Sequence, residues 1–174
     1  MALENLQELL VHQLKDIYNA EQQIVKALPK MVKGVENPTL AQALQTHLRE
    51  TETQVQRLEQ VFERLGMPAR GKKCKGMEGL LEEGKEVLDE EGAPAVKDAG
   101  IIGAAQKVEH YEISAYGTAK SMAELLGLSQ VVELLDTNLQ EEVAADELLT
   151  RIAEGQVNEM ALQAGAGRAQ RSQS

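Results

Sequence analysis

Two apolar helical stripes in this chain are each interrupted by a glutamate, and an internal repeat relates the two interruptions. Glu21 breaks the run Leu10, Leu14, Ile17, Ile24, Leu28, Met31, and Glu112 breaks the run Ile102, Ala105, Tyr116, Ala119. A shift of 91 positions lays Glu21 on Glu112 and Glu50 on Glu141, together with Met31 on Met122, Thr46 on Thr137, Leu48 on Leu139 and Leu58 on Leu149. A carboxylate on the buried face of a helix is costly unless it is paired, protonated or bound to a metal. Two helix pairs that each carry such acids predict a pseudo-twofold bundle built round a metal-binding centre.

Composition agrees with an all-α chain. Aromatic side chains are confined to Tyr18, Phe62, Tyr111 and Tyr116, there is no tryptophan, and no run of β-branched residues is available for a sheet. The 174 residues are most simply one domain. A net charge of -10 argues against nucleic acid and anionic membranes as partners. Cys74 is the single cysteine, so no intramolecular disulfide exists. Its basic loop (Arg70, Lys72, Lys73, Lys75) would favour a thiolate, although a lone cysteine is most often inert. No apolar stretch reaches the length of a membrane span, and Met1-Ala2-Leu3-Glu4-Asn5 does not read as a secretory signal, so a cytoplasmic location is expected.

The glycines and prolines predict the helices. The first runs from about Leu3 to Lys33 and stops at Gly34, with a kink expected at Pro29. Asn37-Pro38 supplies a cap and a first-turn proline for the second, which ends at Gly66. A short crossover helix spans about Met77 to Glu90. The third long helix follows Pro94 to about Leu126, and Ser129 is placed to cap a fourth that reaches about Glu154. Residues 1–155 are thus expected to form a ferritin-like four-helix bundle, two hairpins joined by a long crossover, and residues 156–174 a tail that is partly disordered.

A dinuclear iron or manganese centre needs hard oxygen ligands, often with imidazole. The usual pattern is Glu from two helices and Glu-x-x-His from the other two. Here Glu50 is followed by Thr53 and Gln54, and His47 precedes it by three. Asp146 lies one turn beyond Glu142 and stands where a histidine would, and Glu109 shares the face of Glu112 one turn before it. Glu50 and Glu141 flank leucine-rich stripes, as solvated charges also do. A helical histidine is more often packed or exposed than a ligand, which bears on His47; His12 is expected to be structural and His110 exposed. Tyr18 and Tyr111 are expected in the core or hydrogen-bonded to a carboxylate.

The runs Leu14-Lys15-Asp16-Ile17-Tyr18-Asn19-Ala20-Glu21, His47-Leu48-Arg49-Glu50-Thr51, Val108-Glu109-His110-Tyr111-Glu112-Ile113, Ala115-Tyr116-Gly117 and Leu139-Gln140-Glu141-Glu142, with Ala145-Asp146, resemble the YciE/YciF family of bacterial ferritin-like proteins over about Leu3 to Ile152. The resemblance implies a rubrerythrin-like bundle, a homodimer and a place in bacterial stress responses. It implies that Glu21 and Glu50 are the carboxylates of the first two helices, Glu109 and Glu112 those of the third, and Glu142 with Asp146 those of the fourth. The internal repeat instead pairs Glu50 with Glu141, one residue or about 100° away. Leu135, Leu139, Glu142, Asp146 and Leu149 share a face, which favours Glu142 and leaves Glu141 in play.

The resulting expectation is a dinuclear iron or manganese protein that reacts with peroxide or dioxygen, its redox partner unspecified. Glu50 and Glu142 would bridge the ions, and Glu21, Glu109, Glu112, Asp146 and His47 would be terminal. The alternative is a metal-free helical bundle that acts through its exposed faces, with its buried acids protonated or hydrogen-bonded.

Overall fold

The computed structural model describes residues 3–171, with side-chain surroundings as far as Ala164. Helix α1 spans Leu6–Gly34, α2 Pro38–Arg64, α3 Lys75–Asp89, α4 Pro94–Leu125 and α5 Ser129–Ile152. Helices α1 and α2 form one hairpin and α4 and α5 the other; α2 packs on α5 and α1 on α4, so a ring of four long helices closes round one core. The crossover helix α3 lies against α1 and α4. This is the ferritin-like four-helix bundle.

The helix ends follow local chemistry. Asn5 accepts the Glu8 amide at 2.9 Å and Asn37 the Leu40 amide at 3.0 Å, each satisfying a first-turn donor. Gly66 and Gly127, with φ of 66° and 69°, take the left-handed conformation that closes α2 and α4. Helix α1 runs through Pro29 without a break. Gly34 is its last helical residue, and it is small for a different reason than a left-handed cap: a Cβ there would collide with Leu88 of α3. Ser129 is the first residue of α5 and makes no capping bond; Leu128 precedes it, and its carbonyl accepts from Val131 and Val132.

Beyond α5 the chain continues as helix. A π-helical turn, Ala153–Val157, leads into α6, Asn158–Arg171, and Val157 is buried. Gly155 and the polar residues around it suggest a fraying tail, but the extra residue in the π turn turns Val157 inward, and α6 packs on α4. Residues 172–174 of the expected tail lie outside the described residues.

The core is divided in two. One apolar cluster holds Ile24, Leu28, Leu44, Ile102, Ala105 and Leu149; the other holds Leu14, Ile17, Leu58, Phe62, Ala119 and Leu135. Each long helix passes from one cluster to the other, and at the crossing it carries polar residues: Glu21 on α1, His47, Thr51 and Gln54 on α2, Glu109 and Glu112 on α4, Asn138 and Glu142 on α5. A polar layer therefore cuts across the middle of the bundle. It occupies positions where an apolar side chain would contribute about 1.5–3 kcal/mol each by burial.

Candidate metal centre

The centre of this layer is a constellation of His47, Glu109, Glu112 and Glu142, one ligand atom of each lying within 4.8 Å of all the others. All four are buried, with Glu142 at 0 %, Glu112 at 1 % and Glu109 at 2 % exposure. Glu21, also at 0 %, stands beside Glu112 from α1, so every helix of the bundle contributes. His47 on α2 and Glu109 on α4 come from diagonally opposed helices; Nε2 lies 3.2 Å from Oε1, and 3.9 Å from Glu142 Oε2.

On Glu21 and Glu142 one oxygen is held by a hydrogen bond and the other is left open. Tyr116 donates its hydroxyl to Glu21 Oε1, and Gln54 donates Nε2 to Glu142 Oε1. Glu109 turns Oε1 towards His47. The second oxygens of Glu21, Glu109 and Glu142, and both oxygens of Glu112, are buried without a hydrogen-bond partner, as are both ring nitrogens of His47. Buried acceptors are almost always satisfied in native proteins, so this convergence of open lone pairs calls for a cation or protons.

The electrostatics carry the same message. Burial, reinforced by the charge of Glu142, holds the Glu21 carboxyl well above its usual range, against the opposing pull of the Tyr116 hydroxyl. Burial first, then Glu142, raises Glu109, and burial with the charges of Glu142, Glu21 and Glu109 raises Glu112. For His47, burial favours the neutral ring, yet the surrounding carboxylates, Glu50 first, together outweigh it and raise its pKa. Tyr116 is raised by burial and then by Glu21, so its hydroxyl keeps its proton and remains a donor. Two divalent cations would neutralise the four buried glutamates, and the donor set, hard oxygens with one imidazole, suits iron or manganese.

Several sequence-predicted residues lie elsewhere. Glu50, 41 % exposed at its side chain, is at the rim, its Oε2 3.8 Å from His47 Nδ1. Glu141 is half-buried and gives Oε2 to Arg57 at 2.7 Å, while its neighbour Glu142 faces the layer. Asp146 is not among the converging residues: its Oδ1 accepts from Gln106 at 3.1 Å and its Oδ2 lies 3.3 Å from the exposed His110. Tyr18 and Tyr111 do donate to carboxylates, but to Glu59 and Asp16. His12 lies 2.8 Å from Lys72 Nζ. Cys74 is fully buried as the cap of α3, accepting from the Met77 amide and lying 2.9 Å from the Tyr111 hydroxyl. Burial raises its thiol, and of the lysines near it in sequence, Lys72 faces His12 and Lys73 pairs with Glu78.

The sequence reasoning missed Gln54, Tyr116 and Asn138 as members of the layer. Asn138 donates to the Tyr116 hydroxyl at 3.0 Å and accepts from Arg57 at 2.9 Å, which ties the Glu21 support to the surface. Amides on an apolar stripe at positions 54 and 138 were the available signal.

Fold and site together define a ferritin-like bundle with a buried carboxylate–histidine layer. The chain belongs to the YciF family: residues 5–162 match the family described as "Domain of unknown function (DUF892)". It is 42 % identical to Protein YciF of Escherichia coli K12 over 162 residues, 92 % of this chain and 98 % of that protein. The crystal structure of the E. coli stress protein YciF superposes with a TM-score of 0.86, covering 89 % of this chain and 98 % of that one. YcfI from Rhodopseudomonas palustris, whose assignment as a structural protein is provisional, is 47 % identical with a TM-score of 0.83 over 85 % of this chain and 94 % of its own. A Xanthomonas campestris protein at 22 % identity shares the fold, with a TM-score of 0.74 over 91 % of this chain and 97 % of that one.

Proposed function

We propose that this protein binds a dinuclear iron or manganese centre in its polar layer and acts in a bacterial stress response as a cytoplasmic homodimer. The resident ligands are Glu21, His47, Glu109, Glu112 and Glu142. The observation that carries the reading is the set of buried, partnerless oxygens and nitrogens converging from four helices. When bound, the metals supply redox chemistry towards peroxide or dioxygen. The protein's own part is to exclude bulk water between two apolar clusters and to orient the ligands. Tyr116 fixes Glu21, and Gln54 fixes Glu142. The description of the E. coli relative as a stress protein supports the physiological setting.

The test is metal content of protein purified without chelator, followed by anaerobic titration with ferrous iron or Mn(II). Close to two ions per chain, lost in a Glu21→Ala/Glu112→Ala variant that still folds, is the expected result. Protein that is empty and refuses metal on anaerobic reloading would overturn the reading and leave a bundle whose acids are held protonated.

A further inference from the structure

A groove of about 590 Å³ opens between α2 and α5. Its walls include Ala43, Ala144, Ala145 and Leu148, and at its floor are His47 and Glu109. These are members of the buried constellation, His47 at 6 % exposure and Glu109 at 2 %, and each brings an atom without a hydrogen-bond partner. Glu21, Glu112 and Glu142 do not line it, so the layer meets the groove through His47 and Glu109.

Beyond Glu109 at the floor, three carboxylates line the groove, and they are not equivalent. Asp136 is held by Lys120 at 2.8 Å, and Glu141 by Arg57 at 2.7 Å. Glu50 has no lysine or arginine partner among the described residues; its nearest titratable neighbour is His47, 3.8 Å away. The uncompensated negative charge of the groove therefore sits next to the buried floor. A water occupies about 30 Å³ of liquid, so the space accommodates a divalent ion that keeps part of its hydration shell.

We propose that this groove is the portal through which a hydrated divalent cation reaches the centre, and that Glu50 takes the ion at the mouth and passes it to His47 and Glu109. The proposal rests on the metal-binding reading and assigns Glu50 a role in transit rather than in the resident ligand set. An uncompensated carboxylate in a low-dielectric cleft raises the local cation concentration and the on-rate. The other two rim carboxylates, Asp136 and Glu141, are already engaged by Lys120 and Arg57.

Stopped-flow uptake of Co(II) alone by metal-free full-length protein tests this, with release followed into a chelator. Glu50→Gln is expected to slow uptake about three- to tenfold and to slow release to a similar degree, leaving affinity within about twofold. Ala145→Phe, which fills the groove, is expected to do the same, with Ala43→Phe on the opposite wall as a second plug should the first fail to fold. Asp136→Asn, whose charge Lys120 already balances, is expected to load at the wild-type rate. Wild-type rates in Glu50→Gln and in a folded plug variant would overturn the portal while leaving the metal site standing. Equal slowing by Asp136→Asn would remove the assignment to Glu50. A loss of affinity in Glu50→Gln as large as in Glu112→Gln would make Glu50 a resident ligand and overturn the transit role. Wild-type protein that takes up no Co(II) would remove both readings together.

Discussion

Thr51 on α2 and Glu142 on α5 occupy equivalent positions of the two sequence halves, both fully buried, yet one is a hydroxyl and the other a carboxylate. The same shift pairs His47 with Asn138 and Tyr18 with Glu109. Of the buried acids, Glu21 and Glu112 alone keep the twofold relation. The centre is thus lopsided, with three of its four carboxylates on α4 and α5 and its imidazole on α2. Thr51 donates its hydroxyl back to the His47 carbonyl at 2.9 Å, so its hydrogen is used within its own helix and His47 is the α2 member of the converging ligand set. His47→Ala is accordingly expected to lower metal affinity at least tenfold, because no equivalent donor on α2 replaces it. Calorimetric titration with Mn(II) checks this; affinity unchanged from wild type would take His47 out of the ligand set.

Glu112 offers the clearest pH prediction. Its carboxyl is raised by burial and by the charges of Glu142, Glu21 and Glu109, so the folded metal-free protein holds a proton that the unfolded chain releases near the ordinary glutamate value of 4.5. Above that pH the folded state binds more protons than the unfolded one, and stability falls as pH rises towards the folded pKa. Glu21 and Glu109 act in the same direction. The metal-free protein is expected to melt lower at pH 7.5 than at pH 5.5, and Glu112→Gln to remove part of that slope. At neutral pH the variant's metal-free Tm is expected to rise by roughly 3–8 °C. Saturating metal should reverse the order, since it stabilises only the protein that binds it. Identical pH slopes for variant and wild type would contradict the buried, protonated state of Glu112.

The split core and the two hairpins were legible in the sequence because helical periodicity exposes any residue that breaks a stripe. Glu21 and Glu112 stood out for that reason, and Glu109 followed from its place one turn earlier on the same face. The repeat was a weaker guide elsewhere. It paired Glu50 with Glu141, and both face the rim, where a solvated charge costs little. The face shared by Leu135, Leu139 and Leu149 picked Glu142 over Glu141 because a one-residue step rotates a side chain by about 100°. That rule did not separate Asp146 from the layer, since Gln106 and His110, which meet it, come from another helix whose register the sequence does not reveal. For the same reason the tyrosine that reaches a buried site carboxylate is Tyr116, while Tyr18 and Tyr111 find other acids.

Tyr116 should behave as a positioning residue. Its hydroxyl donates to Glu21 and accepts from Asn138, which Arg57 holds in turn. Tyr116→Phe leaves the ring and its packing but removes the donor to Glu21 Oε1 and one of the two acceptors of the Asn138 amide. The expected cost is about 1–3 kcal/mol in the metal-free protein and a metal affinity about tenfold weaker. Denaturant unfolding and Mn(II) titration measure the two effects separately. A structural role alone would move the first and not the second.

Asp98 supplies a stability test remote from the centre. Its two oxygens accept the Glu36 amide at 3.1 Å and the Asn37 amide at 2.8 Å, tying the α1–α2 turn to the start of α4. Asn37 in turn caps α2. Asp98→Ala leaves these amides without their acceptor and is expected to cost about 2–3 kcal/mol while Mn(II) affinity stays within twofold. A parallel fall in affinity would mean that the turn sets the register of α2 and with it the position of His47.

Cys74 separates a structural thiol from a reactive one. It is fully buried, caps α3, and its pKa is raised chiefly by burial, despite the hydrogen bond with Tyr111. Its backbone is fixed as well, the amide donating to Asn19 at 2.8 Å and the carbonyl accepting from Gln23 at 3.0 Å. A thiol reagent is therefore expected to modify the native protein only as fast as the α1–α3 region opens, with the rate independent of reagent concentration once it is high. Cys74→Ala should cost about 1–3 kcal/mol through the lost cap and the space left beside Tyr111. Cys74→Ser, which restores an oxygen acceptor at the cap, should recover part of it. Rapid modification in proportion to reagent concentration would show instead that the segment carrying Cys74 opens freely.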